Sequence, residues 1–151
     1  MEITTEIVKQ LRDRTGVSVM QCKKALEEAE GDVAKAEEIL RKHSGASALK
    51  KHDRTLGAGT ISSYVHDNTI GAMVLLAAET DFVAKNPEFE ALAREIAMQV
   101  SAMDPENTEA LLEQPYIKDE SKKIKDLLNE ATQKFGERVE ITQFARFSAR
   151  G

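Results

Sequence analysis

Cysteine is nearly absent. One residue in 151, Cys22, leaves no internal disulfide to form, which suits a reducing compartment. No apolar run reaches the length of a membrane span, and the opening Met-Glu-Ile-Thr-Thr-Glu lacks the basic start and apolar core of a secretory signal. A cytoplasmic protein away from membranes is therefore expected. Positive charge is also short: 21 Lys and Arg stand against 26 Asp and Glu, a net charge of −5. That balance argues against nonspecific nucleic-acid binding by the surface as a whole.

Groups that carry chemistry are equally sparse. His43, His52 and His66 are scattered without metal-ligand spacing, and Cys22 has neither a second cysteine nor a nearby base. Glu27, Glu28, Glu30, Glu37 and Glu38 read as helix-face acids. The serines lack the glycines of a nucleophile elbow, and Gly57-Ala58-Gly59 has neither dinucleotide-loop spacing nor a Walker lysine. Neither an enzyme, a cofactor nor a metal is expected. Between Arg41 and Arg54, five basic residues meet one acid, without an interleaved aromatic for base stacking. This segment reads as a solvated tether or as a contact for RNA or an acidic partner.

What is present is a globular balance, with 41% hydrophobic and 31% charged residues. Residues 1–43 read as three short helices. Ile7, Val8 and Leu11 share one face of a helix over Thr5–Arg14, which Thr15-Gly16 closes; Ser18 to Gln21 has the form of a capping box. Cys22, Ala25, Leu26 and Ala29 line the second helix, and Val33, Ala36, Ile39 and Leu40 the third. Such a compact triple is similar to a ubiquitin-associated bundle. Residues 44–59 read as a linker. From Thr60 the pattern turns to β: a strand to His66, a turn at Asp67-Asn68, and a second strand over Ile70–Ala78. Helices are expected over Pro87–Met103, Thr108–Glu113 and Ser121–Phe135, then a strand over Val139–Ser148. The fold class is α+β: bundle, linker, and a core at 60–151 with an antiparallel three-stranded sheet covered by helices.

Between Ala78 and Pro87 two helix-start signals crowd together, Glu79-Thr80-Asp81 and Asn86-Pro87-Glu88. They place Phe82 at the tip of a short turn, with Asp81 as its expected cap. The ring either folds back to plug the strand–helix core or stands out as an aromatic anchor for a partner.

Three segments carry a family resemblance. Glu79-Thr80-Asp81-Phe82-Val83-Ala84-Lys85-Asn86 resembles the signature of elongation factor Ts. Leu11-Arg12, Thr15-Gly16, Met20-Gln21-Cys22-Lys23 and Ala25-Leu26 are similar to its N-terminal signature, with Val19-Met20 where members more often have two methionines. Phe135-Gly136-Glu137-Arg138-Val139 resembles the end of a core subdomain, although Arg138 departs from the usual Gly-Glu-Asn-Ile. The resemblance implies a partner, the translational GTPase elongation factor Tu, from which GDP release is promoted by disturbing the magnesium and phosphate site so that GTP rebinds. It implies that Thr80, Asp81, Phe82 and Val83 act at that site. Lys9, Arg12, Val19, Met20 and Lys23 would dock the N-terminal bundle, and Phe135 and Gly136 would make a secondary contact. Longer members have two core subdomains, whereas short ones pair as homodimers. One core subdomain is present here, and Cys22 sits in the bundle, so the expected dimer is noncovalent and formed through the core. An RNA-binding module, or an adaptor for ubiquitin-like folds built on the bundle, are the rival readings.

Overall fold

The computed structural model describes residues 3–51 and 54–150. Three helices come first: α1 (Thr5–Thr15), α2 (Val19–Glu28) and α3 (Val33–Lys51). Thr4 caps α1 by accepting from the Ile7 amide, and Gly16 at φ 71° ends it in the left-handed conformation that glycine enters freely. Ser18 caps α2 by accepting from Gln21 N at 3.3 Å. The reciprocal half of the expected capping box is replaced, because Gln21 Oε1 accepts from Gln133 of a distant helix.

Val8, Leu11, Cys22, Ala25, Leu26, Ala36 and Leu40 are buried together as the core of the bundle. The Cys22 thiol donates to the Val17 carbonyl, and burial pushes its pKa up, so it packs as a small apolar side chain. The third helix continues past His43, where the sequence suggested a linker, as far as Lys51. Gly45 costs a helix only about 1 kcal/mol relative to alanine, and Ala46, Ala48, Leu49, Lys50 and Lys51 are good helix formers. The tether reading of Lys50 to Asp53 rests on side chains outside the described residues.

The second core is built on β1 (Ala58–His66), β2 (Ile70–Ala78) and β5 (Glu140–Ser148). They form an antiparallel sheet in the order β1-β2-β5. Asp67 and Asn68, at φ 51° and 54°, make the hairpin turn, since these side chains tolerate left-handed backbone. Between β2 and β5 the chain passes through α4 (Asp81–Ala84), α5 (Pro87–Met103) and α6 (Thr108–Glu113). A small hairpin follows, β3 (Pro115–Tyr116) with β4 (Asp119–Lys123), and then α7 (Ile124–Phe135).

The helix expected from Ser121 begins at Ile124 instead. Two interactions explain the shift. Buried Gln99 donates to Pro115 O and accepts from Ile117 N, both at 3.0 Å, holding that segment extended. Asp126 then accepts from Lys123 N at 2.9 Å and opens the helix there.

Phe89, Ala93, Ile96, Ala97 and Val100 of α5 lie over the inner sheet face with Val74, Leu76 and Ile141. Thr142 is an extra residue in β5, opposite the Leu75/Leu76 step, so Ile141 and Phe144 both turn inward despite their odd spacing. The outer face carries Ile61, Val65, Met73 and Phe147, each at least half exposed. Among the described residues no helix is long and apolar enough to cross a membrane.

Candidate partner-binding site

The turn between β2 and α5 is a single helical turn, α4, followed at once by the start of α5. Its cap is Thr80, whose hydroxyl accepts from Val83 N at 3.4 Å; Asp81, the cap expected from sequence, is instead the first residue inside the helix. The four residues split by direction. Val83 is 4% exposed and belongs to the core with Ala84, whereas Phe82 is 87% exposed. Thr80 and Asp81 are exposed beside it. The ring therefore points outward and does not plug the core, and Val83 is the peg that seats its turn.

Asn86 restarts the chain as a helix by accepting from Glu88 N at 2.8 Å, with Pro87 at the first helical position.

The base of the turn is fastened by residues 57 and more positions away. Glu137 Oε1 accepts from the amides of Glu79 and Thr80, each at 3.0 Å, and its Oε2 accepts from the Thr80 hydroxyl at 2.7 Å. In return, Glu79 Oε2 accepts from Arg138 N at 2.6 Å. Arg54 lies across the junction, 3.5 Å from Glu79 and donating to the Gly136 carbonyl. Arg138 donates to the Arg54 carbonyl at 2.6 Å and pairs with Glu140 at 2.7 Å. Glu79, Glu137 and Arg138 stand in the family-like segments and Arg54 in the basic stretch, but nothing in the sequence shows that the four meet. The one available signal was the acid directly after the Gly136 helix end.

The same end of α7 carries the other predicted contacts. Phe135 is half-buried, edge-on to Phe89 with ring centroids 5.8 Å apart, and Gly136 is exposed in the left-handed conformation at φ 72°. One turn back, Gln133 donates to Gln21 of α2 at 3.1 Å, and the Lys134 stem runs beside Gly16. Lys134 also pairs with Glu88 at the start of α5. On the bundle, Met20 and Val19 are 69% and 49% exposed, and Lys9, Arg12 and Lys23 are exposed. Residues 133–137 thus join the bundle, the Phe135-Gly136 corner and the Phe82 turn.

Little else resembles a site. Among the described residues no group of three His, Cys, Asp or Glu could hold a metal ion. A cavity of about 340 Å³ opens between the bundle and α7, but its main charges pair with each other, Arg14 with Glu37 and Lys122 with Glu130, both at 3.0 Å.

The sequence pattern of the family described as Elongation factor TS matches residues 79–151. Elongation factor Ts of Thermodesulfovibrio yellowstonii is 39% identical, over 97% of this chain and 96% of that protein. The chain belongs to the elongation factor Ts family.

Elongation factor Ts of Thermotoga maritima is likewise 39% identical, over 97% of this chain and 96% of its own length. A chloroplastic polyprotein of EF-Ts from rice is 38% identical over 97% of this chain, which spans only 17% of that protein. The alignment with the Thermodesulfovibrio protein covers 191 positions, more than the 151 residues here, so that relative carries internal residues that this chain passes over. Family membership gives the general role, guanine-nucleotide exchange on elongation factor Tu in translation. An elongation factor Ts is an exchange factor rather than a catalytic enzyme; it changes a partner's affinity for its nucleotide.

Proposed function

We propose that exchange proceeds by two-point engagement of elongation factor Tu. Lys9, Arg12, Val19, Met20 and Lys23 dock the bundle on one face of the GTPase. Thr80, Asp81 and Phe82 enter beside its magnesium and phosphate-binding loop, with Val83 seating them from within, and Phe135 and Gly136 add a lesser contact. The Phe82 ring wedges between side chains of the partner. A magnesium that bridges phosphate charge loses its ideal geometry, GDP leaves, and incoming GTP later displaces the factor. Factor and nucleotide each lower the other's affinity by the same ratio. The supporting observation is a phenylalanine 87% exposed on a fastened one-turn helix. A large ring held rigidly in water suits a partner's pocket, because little freedom is left to lose on binding.

The chain is read as two units, the bundle with α3 running on to Lys51 and the core that opens at β1. The core is proposed to pair with a second copy through its open sheet face, where Ile61, Val65, Met73 and Phe147 form an apolar patch. A two-fold axis would set this patch against itself. No cysteine lies on that face, so the pairing is noncovalent. The rival RNA reading is weakened at Arg54, whose guanidinium is engaged by Glu79 and Gly136.

Stopped-flow release of a fluorescent GDP from elongation factor Tu tests the wedge. Phe82→Ala is expected to keep the fold and lose most of the stimulation. Unchanged release would remove Phe82 from the mechanism.

A further inference from the structure

We propose that Glu137 is the positioning residue of the Phe82 turn, so that exchange depends on a carboxylate that need not touch the GTPase. The proposal rests on the reading of Thr80–Phe82 as the segment that acts on the magnesium site.

A helix of four residues does not hold itself, since its first turn fixes several dihedral angles for a single hydrogen bond. The internal cap is weak here, at 3.4 Å from Thr80 Oγ1 to Val83 N. Glu137 makes the shorter bonds, 3.0, 3.0 and 2.7 Å, to two amides and a hydroxyl at the helix entrance. Bonds to an ionised acceptor are about twice as strong as neutral ones. The clamp is also reciprocal, because Glu79 accepts from Arg138 N at 2.6 Å. Two chain segments are therefore stitched by a carboxylate from each onto the backbone of the other. Val83 seats the turn in the core, and Ala84 N and Lys85 N bond the Thr80 and Asp81 carbonyls; the Glu79 and Thr80 amides at its entrance are held by Glu137.

The anchor leads to the element that supports the bundle. Glu137 directly follows the Gly136 end of α7, and Gln133 of the same helix bonds Gln21, next to Met20. The clamp thus fixes the wedge relative to the docking face. Loss of Glu137 leaves the docking residues in place and blurs the direction of the ring. Its signature is a fall in the maximal release rate at nearly constant half-saturating concentration, a split that a general loss of folded protein does not give.

The test compares Glu137→Ala, Glu137→Gln and Phe82→Ala in GDP release from elongation factor Tu, with amide hydrogen exchange and melting curves on each full-length protein. Glutamine keeps the length and one oxygen able to accept both amides. Glu137→Ala is expected to lower the maximal rate about tenfold or more, move half-saturation less than about threefold, and speed exchange at the Glu79 and Thr80 amides. Glu137→Gln should restore both amide protection and most of the rate. If Glu137→Ala does not fold, Glu137→Asp, which keeps the carboxylate but shortens its reach to the Glu79 and Thr80 amides, takes its place and is expected to lose rate in the same pattern.

Exposed Glu79 and Thr80 amides with an undiminished rate, beside a slow Phe82→Ala protein, would overturn the role of Glu137 alone. A Phe82→Ala protein as fast as the parent would overturn the underlying reading, and the proposal with it. A loss of rate in Glu137→Ala that tracks its melting temperature and is accompanied by a parallel rise in half-saturation would reduce Glu137 to ordinary stability.

Discussion

Phe82 and Val83 are neighbours in sequence and opposites in burial, 87% and 4% exposed, because one turn of helix directs consecutive side chains about 100° apart. One faces water and the other reaches the core beside Ala84. The pair separates a presented side chain from a packed one within a single turn. Val83→Ala is expected to cost about 2 kcal/mol, the usual scale for emptying a small buried aliphatic site. Phe82→Ala should stay within about 0.5 kcal/mol of the parent, as exposed substitutions do. Urea melts of both variants measure this, and equal losses would show that the ring is packed rather than presented.

The docking face should behave differently from the wedge. Met20→Ala and Lys23→Ala remove exposed groups on α2 without disturbing Cys22 or Leu26 beneath them. Each is expected to raise the concentration of factor needed for half-maximal GDP release, up to about tenfold for an anchor residue, and leave the maximal rate unchanged. Titrated stopped-flow traces read both quantities. A fall in maximal rate at constant half-saturation would move these residues from docking to the nucleotide site.

The outer sheet face predicts an assembly state. Met73 is central, paired across the strands with Ser63 and Ala145, and is 52% exposed. Sedimentation equilibrium should find a dimer that persists in reductant, and Met73→Glu should leave a folded monomer, because two-fold pairing sets the introduced charges against each other. A parent that sediments as a monomer at micromolar concentration would refute the pairing.

Acid should weaken the attachment of the β3–β4 hairpin to α5. Burial alone would raise the pKa of Glu95. Hydrogen bonds from Lys118 Nζ at 2.8 Å and Tyr116 Oη at 2.9 Å, with the charges of Lys118 and Arg94, outweigh it and hold the carboxyl below its ordinary value of 4.5. Burial first, and then the same contact, push the Tyr116 phenol up. A folded pKa below the unfolded one contributes stability above the unfolded value, and that contribution is lost as pH falls through the folded value. The unfolding free energy of the parent should therefore drop below about pH 4.5 more steeply than that of Glu95→Gln. Parallel curves would show that Glu95 titrates alike in both states.

Much of this was legible before any coordinates. The apolar stripe of α2 points inward where its spacing put it, and the β1–β2 hairpin turns at Asp67-Asn68. These features depend on neighbours within a few residues, where helical and strand periodicities leave little choice. Boundaries decided by distant partners were not legible. The start of α7 moved to Ile124 because Gln99 on α5 holds residues 114–117 extended. The extension of α3 past His43 was hidden because Ser44-Gly45 carries a linker's composition and a helix's tolerance together.

By itself the sequence determined that there are two apolar clusters, that a strand–turn–helix places an aromatic between Thr80 and Asn86, and which family signatures the chain carries. Local pattern is sufficient for these, since each is written in residues that lie side by side. Whether the ring looks outward, and what holds it there, was decided only by the tertiary structure. The acceptor for the Thr80 amide is Glu137, 57 residues away. A hydrogen bond forms between groups that meet in space, and the sheet and α7 bring those two together.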